Sequence, residues 1–454
     1  MKQEKRYKLI VALLFAVVIS GCNKWKDVES LSDPESGYDL YQRIQSMPEL
    51  SRFAELLSKT GYGQLIATSK NYTVFAPVND ALASLDPSVL NDTAKLRLYV
   101  GNLITNQLQT VEGSSTVRLP MINGKYINLQ GTRFDEATIT TANKYGKNGL
   151  LHIIDKATPV LPNVWEFVQQ SSLMPAAQKN FLLSQKDSAG NYLYFKNVYD
   201  MRDEKKEYTF FVMTDTSYVK EVSKYFSFYA TSTADSTVPL AQLAVVRDLA
   251  IEGAYTAASL PDSVLSKFNA RVRENKNDIL QTIKVSNGYV HFMRRLPVLP
   301  KDKFQPYIIQ GENFSFSKFD RTPYTFIRER FNPIAGKDFR DVLVYNHGNA
   351  QYYLGYRLAS VPAMKYKAYW VALNDNINNN SDPYKQLLGI ETPTGTKLSY
   401  TTVTPNEYRE VYLGEFELTN YSPVLNIHLT ADNNTNSNTS KITVDYIRLE
   451  PVLN

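Results

Sequence analysis

The sequence predicts a multidomain chain: two α+β modules built to one plan, then an all-β antiparallel sandwich of jelly-roll type. Three observations lead there. A length of 454 residues exceeds what one hydrophobic core serves, and roughly 150 residues per domain suggests about three. Short patterns recur at near-constant offsets between residues 37 and 305. Tyr208-Thr209-Phe210-Phe211 stands 136 residues after Tyr72-Thr73-Val74-Phe75, and Asn287-Gly288-Tyr289-Val290-His291 stands 139 after Asn148-Gly149-Leu150-Leu151-His152. Pro297-Val298-Leu299-Pro300 follows Pro159-Val160-Leu161-Pro162 at an offset of 138. Beyond Pro300 the texture changes to short aromatic runs that alternate at period two and are split by Pro, Asn and Gly. The expected boundaries are a leader at 1–21, a tether at 22–36, modules at 37–162 and 163–305, and the sandwich at 306–454.

Composition narrows the function classes. A mean hydropathy of −0.32 excludes a polytopic membrane protein, and 43% hydrophobic residues suffice for packed cores. Fifty basic against 45 acidic residues give a net charge of +5 with no basic run, so no nucleic-acid partner is implied. With 31 Tyr, 21 Phe and only four His, the chain favours β-structure and binding surfaces over metal chemistry.

At the start, Lys2, Lys5, Arg6 and Lys8 precede an unbroken apolar run from Leu9 to Ile19. That run is too short to span about 30 Å of hydrocarbon but suits the h-region of a signal peptide. Ile19-Ser20-Gly21-Cys22 follows, and Cys22 is the only cysteine in the chain. The segment resembles a bacterial lipobox, which implies that the Cys22 thiol is lipidated and becomes the first mature residue; the plainer alternative is an ordinary signal peptide with a chance cysteine. Several acyl chains at about 0.8 kcal/mol per methylene would anchor the chain for good. No internal disulfide is then possible. The expected location is the outer membrane, with Asp27 and Glu29 a weak sign of export to the cell surface.

In the first module, Leu50, Phe53, Ala54 and Leu57 recur at helical spacing between Met47 and Gly63, with Gly61 as the stop. Tyr72 to Ala76 reads as a strand ended by Pro77. Asn79 and Asp80 are expected to cap a short helix, and Asn91 or Asp92 a second one carrying Leu96, Tyr99, Val100 and Leu103. Asn123-Gly124 marks a hairpin. Asn148-Gly149 leads into a closing strand, Leu150 to Ile154.

Tyr72-Thr73-Val74-Phe75-Ala76-Pro77-Val78-Asn79-Asp80-Ala81-Leu82 resembles the first signature of fasciclin domains. Asn148-Gly149-Leu150-Leu151-His152-Ile153-Ile154-Asp155-Lys156 resembles the second. The resemblance covers about 37–162 and implies an adhesive or matrix-binding module. The second module is similar but degenerate: Val212-Met213 stands in place of Ala76-Pro77, and Arg294 in place of Asp155. Integrin recognition of the Tyr-His kind is not carried over, because Tyr99 to Ile104 contains no histidine.

His152 and His291 invite a catalytic or metal reading. One per module is too few for zinc, and a hydrogen-bonded structural histidine on a strand is the simpler account. No compact hydrolase, zinc or phosphate-loop motif is present, so neither catalytic nor metal-ligating residues are assigned.

In the last third, Tyr352, Leu354, Tyr356 and Leu358 share one strand face, and Tyr366, Ala368, Trp370 and Ala372 another. Val411 to Leu413, Leu425 to Leu429 and Ile442 to Leu449 read as further strands. The ending Asp445-Tyr446-Ile447-Arg448-Leu449-Glu450-Pro451 and the Tyr-rich strands are similar to jelly-roll carbohydrate-binding modules. That similarity implies sugar stacking on exposed rings and, in many such domains, a structural calcium ion. Tyr352, Tyr356 and Trp370 are expected in the core. The binding candidates are Tyr345 and His347 in the Asn346-His347-Gly348-Asn349 loop, and Tyr384 after the polar stretch 374–382. The expected function is non-enzymatic adhesion or extracellular ligand binding by a lipid-anchored protein. The alternatives are a glycan-binding accessory of a polysaccharide uptake system, with the sandwich as its working part, and a hydrolase within the sandwich.

Overall fold

The computed structural model describes residues 37–453 apart from 69, 274, 297, 321 and 376–380. The leader, Cys22 and the tether lie outside the described residues. The chain forms two compact units. One runs through Phe167 and takes in Arg202–Glu207 and Lys284–Gly288; the other holds Val168–Met201, Tyr208–Ile283 and everything from Tyr289.

In the first unit a 3-10 turn, Pro48–Leu50, leads into the helix Ser51–Thr60. Gly61 ends that helix in the left-handed conformation, φ +75°, where a side chain would be strained. Leu50, Phe53 and Leu57 are fully buried on one face, each worth about 1.5–3 kcal/mol of burial. Asp92 caps the helix Thr93–Gly101, accepting from the Ala94 and Lys95 N–H groups. Asn79 behaves differently from the expectation. It is the first residue of its own short helix, Asn79–Leu82, and its amide caps the start of the helix Ser51–Thr60, accepting from Arg52 N–H at 3.0 Å and donating to Pro48 O at 2.9 Å.

The core strand Tyr72–Pro77 pairs parallel with Gly149–Ile154 and antiparallel with Ile104–Thr105. The sheet continues through Ala137–Gly146 and Arg133–Phe134 to the hairpin Tyr126–Gln130 and Thr116–Pro120, which turns at Asn123-Gly124. Phe75 stacks on Phe134 at 3.9 Å. Gly149 follows from close approach: a Cβ there would stand 2.0 Å from the Tyr72 carbonyl oxygen. The segments 202–207 and 284–288 join this unit through Glu204, which takes Lys125 Nζ at 2.6 Å and Ser286 Oγ at 2.9 Å.

The second repeat reproduces the plan. Its sheet runs Ile279–Val285, Gly288–Met293, Tyr208–Met213, Ala250–Glu252. That is the order of Ala137–Gly146, Gly149–Ile154, Tyr72–Pro77 and Ile104–Thr105 in the first. The hydrogen bonds repeat as well. Thr73 Oγ1 donates to Gln107 O (2.7 Å) and accepts from Gln109 N–H (2.9 Å); Thr209 Oγ1 does the same with Gly253 O and Tyr255 N–H at 2.7 and 2.9 Å. Asn148 Oδ1 accepts from the first residue of helix Leu40–Gln45, and Asn287 Oδ1 from the first residue of helix Val164–Gln170, both at 2.9 Å. Asp215, aligned with Asn79, accepts from Ala177 N–H at 2.8 Å at the start of helix Ala176–Ser184.

The two departures of this repeat are compensated locally. Met213 has the N–H that Pro77 lacks, and it donates to Gln178 Oε1 at 3.1 Å; Gln178 is fully buried and its Nε2 donates to Phe211 O at 3.1 Å. Asp155 accepts from Thr138 N–H at 2.7 Å. In the second repeat the acid stands on the facing segment: Asp278, in the 3-10 turn Lys276–Asp278, accepts the Arg294 N–H through its backbone carbonyl (2.7 Å) and pairs its carboxylate with Arg295 at 2.7 Å.

The last third is all β, and every pairing resolved in it between strands is antiparallel. One sheet orders Tyr307–Gln310, Tyr446–Val452, Lys365–Val371, Val411–Glu417. The other orders Phe316–Ser317, Tyr353–Val361, Ser422–Ala431, Tyr384–Ile390, Thr401–Val403. Tyr352, Tyr356 and Trp370 are buried as expected, and Tyr366 is buried with them. A third sheet carries the long hairpin Thr325–Asn332 and Lys337–Val344 beside Ile442–Val444. The run expected as one closing strand is therefore two. It breaks at Asp445, whose N–H donates to Val371 O and whose carbonyl accepts from Gly311 N–H, and the chain changes sheets there. The sandwich and the second repeat share a unit, joined by Ala363 N–H to Phe228 O (2.8 Å) and Tyr421 N–H to Ala230 O (2.7 Å).

Candidate functional site

The repeated histidines are structural. His152 Nε2 donates to Gln109 O at 2.9 Å, its Nδ1 accepts from Asn143 N–H at 3.2 Å, and its ring stacks on Phe75 at 5.1 Å. His291 repeats this with Tyr255 O (2.9 Å), Thr282 Oγ1 (2.9 Å) and Phe211 (6.0 Å). Both are fully buried, and burial pulls both rings below the usual imidazole range, outweighing the carbonyl bond. Each ring is thus a neutral strut between the two strands of its module and a crossing loop.

The sandwich offers a more open surface where the loops 318–324, 345–352 and 432–440 meet. The strand Lys337–Val344 delivers Tyr345, and Asn346 and Gly348 then take left-handed conformations, φ +55° and +69°, which asparagine and glycine tolerate. Tyr345 is half-buried, stacks on Phe326 at 5.3 Å, and donates its N–H to Tyr324 O at 3.3 Å. Gln351 N–H donates to Asp432 O at 3.1 Å, tying the second loop to the third. The third loop is a chain of side-chain turns: Asn434 Oδ1 accepts from Asn436 N–H and Asn436 Oδ1 from Asn438 N–H. Behind the loops Arg328 bolts two segments together, pairing with Asp341 and, at 2.8 Å, with Asp375.

Of the three residues singled out from sequence, only Tyr345 reaches this surface. His347 is 3% exposed: its ring stacks on Tyr352 at 4.8 Å and its Nδ1 accepts from Asn349 N–H at 3.3 Å, so it shapes the loop from beneath. Tyr384 is not in a loop. It opens the strand Tyr384–Ile390, is 2% exposed, and its hydroxyl bonds Thr443 Oγ1, which removes it as a stacking platform. Sequence reasoning missed Phe319, Tyr324 and Phe326, exposed by 48%, 39% and 39%. The available signal was the turn at Asp320, whose carboxylate accepts from Thr322 N–H and Oγ1, followed by Pro323. Rings beside backbone carbonyls and amides can hold the C–H face of a sugar while bonding its hydroxyls. Among the described residues, no three His, Cys, Asp or Glu side chains group closely enough to hold a metal ion.

Residues 48–158 match the family model of the fasciclin domain. That stretch is a fasciclin domain. It is the first repeat described above, with its Asn148 clasp and its His152 strut. Among solved structures the chain is similar to a FAS1 domain pair from the insect cell adhesion molecule fasciclin I, at 18% identity over 56% of this chain and 99% of that one, TM-score 0.25. It is also similar to the CBM36-1 domain of a multidomain xylanase from the hindgut metagenome of Trinervitermes trinervoides (13% identity, 33% of this chain, 99% of that, TM-score 0.24). A family 35 carbohydrate-binding module from Clostridium thermocellum gives 11% identity over 33% of this chain and all of that one, TM-score 0.23. No curated protein matches the chain.

Proposed function

We propose that this is a non-enzymatic, lipid-anchored protein of the outer membrane, displayed at the cell surface, which holds an extracellular glycan at the loop end of its sandwich. The fasciclin domain and its second copy would serve as adhesive modules. The observation that carries the reading is the aromatic loop end: Tyr345 stacks on Phe326 of the strand Thr325–Asn332 and donates its N–H to Tyr324 O, and Phe319 stands exposed five residues before Tyr324. Support for the anchor comes from Cys22 in its lipobox-like context. Support for a non-catalytic role comes from the histidines, which are committed to backbone and neighbouring groups. The glycan reading is favoured over a purely protein-adhesive one because the exposed rings sit on the sandwich.

The test is a glycan array and titration calorimetry on residues 22–454, with product analysis of any polysaccharide bound. Binding without cleavage is expected. Tyr345→Ala and Phe319→Ala should each weaken it by more than about 1 kcal/mol, near fivefold or greater. Release of shortened sugars, or binding untouched by both substitutions, would overturn the reading. Surface display is tested by protease shaving of intact cells, and the anchor by Cys22→Ser, which should release the protein from the membrane fraction.

A further inference from the structure

A second site lies within the larger unit, where the degenerate repeat meets the sandwich. It is a cavity of about 230 Å³. Tyr229, Arg247 and Phe268 line it from the repeat, and Tyr307, Pro362 and Tyr366 from the sandwich. That volume is below the ~300–1,000 Å³ of drug-sized pockets, so it suits one small ring and not a chain.

Arg247 sets the chemistry. It caps the C-terminus of the helix Ala234–Val246, and its guanidinium lies over the Phe268 ring at 5.1 Å. Its nearest carboxylate oxygen is Asp248 Oδ2 at 3.7 Å, beyond hydrogen-bond reach. That carboxylate is already engaged: Asp248 is fully buried, accepts from Ser266 Oγ at 2.6 Å and pairs with Lys303 Nζ. Arg247 Nε is buried and has no hydrogen-bond partner among the described residues. A planar fork of five donors therefore borders a small aromatic cup with its acid partner spoken for. Lys303 also feels the buried Glu221, which is paired with Lys224; three cations, Arg247, Lys303 and Lys224, against two anions, Asp248 and Glu221, leave room for a single further negative charge. The walls are ring faces, which pack against C–H surfaces.

We propose that this cavity binds a uronate, a pyranose bearing one carboxylate, with the carboxylate on Arg247 and the sugar ring against Phe268 and Tyr229. The site is separate from the loop end, so either can fail without the other.

Titration calorimetry on residues 22–454 uses D-galacturonate and D-glucuronate as probes, D-galactose and acetate as controls, and a galacturonate trimer to distinguish a free sugar acid from a polysaccharide end. At least one uronate should bind more tightly than either control. Arg247→Gln should weaken binding about tenfold or more, the loss expected of a charge-assisted bidentate contact, and Arg247→Lys should weaken it less. Phe268→Ala changes a partly exposed ring and leaves the fold intact, so it serves should Arg247→Gln fail to fold; it too should weaken binding. Tyr345→Ala should not. Equal binding of galactose or acetate, no uronate binding, or unchanged affinity in both Arg247→Gln and Phe268→Ala would overturn the assignment. Binding of the trimer as tightly as the monomer supports a polysaccharide end as the source, and of the monomer alone a free sugar acid.

Discussion

Gln178→Leu removes one side chain and orphans two buried backbone groups. In the native repeat the Gln178 amide accepts from Met213 N–H and donates to Phe211 O, both at 3.1 Å, with no water access. An unsatisfied buried backbone group costs about 1–3 kcal/mol, so the two together predict a loss of about 2–4 kcal/mol, allowing for relaxation. The first repeat shows how half of that loss is avoided: it places Pro77 where the second has Met213, and proline has no N–H to orphan. Met213→Pro should therefore be tolerated poorly in the wild type, where it breaks a satisfied bond. In the Gln178→Leu background it should restore about 1–2 kcal/mol. The readout is a double-mutant cycle by urea denaturation with near-UV circular dichroism, whose coupling term isolates the pair. A Gln178→Leu penalty below about 0.5 kcal/mol, or an equal Met213→Pro effect in both backgrounds, would refute the claim that the amide stands in for the proline.

Acid should weaken both repeats. Burial lowers the folded pKa of His152 and His291, so below an unfolded value of about 6.5 the unfolded chain takes up protons that the folded one refuses. Their stabilising share is full above that pH and is lost as the pH falls through the folded values. The melting temperature should drop between pH 7 and 5, and less steeply in His152→Asn. Asp445 has the opposite sign. Burial, then Asp341 and Glu312, push its carboxyl up to about 7, so its contribution is full below about pH 4 and is lost as the pH rises through 7. Asp445→Asn, melted in chelator at pH 8, should be more stable than wild type. Asn148→Ala frees Leu40 N–H and two carbonyls, Ile66 O and Thr68 O, and should cost about 2–4 kcal/mol by denaturant melting. Its partner Asn287→Ala should destabilise comparably.

Much of this architecture was written in local chemistry. Asn-Gly pairs, a Thr-x-Phe strand and a proline stop mark the same sites in both repeats because each is fixed by backbone need: close approach at Gly149, a buried clasp at Asn148, a crossing-loop bond at Thr73 and Thr209. Period-two alternation announced the sandwich and correctly put Tyr352, Tyr356 and Trp370 inside. The errors arose where distant partners decide. Tyr384 follows a polar stretch and reads as loop, yet Thr443 from a remote strand accepts it into the core. Phe326 escapes notice because nothing local marks its strand, Thr325–Asn332, as the edge of its sheet, where the ring stays exposed. Asn79 reads as a cap for the helix it begins; its amide reaches back to residues 48–52 instead. No local pattern distinguishes these outcomes.

The clasp at Asn148 also fixes how the first repeat would respond to tension. Lys147 N–H donates to Tyr38 O at 2.8 Å, and Leu40 N–H to Asn148 Oδ1 at 2.9 Å, so the chain's way in is stitched to the strand that leads out. A pull applied between the chain ahead of Tyr38 and the chain beyond Ile154 would cross the module along this short seam, leaving the rest of the sheet and the helices slack until the stitches part.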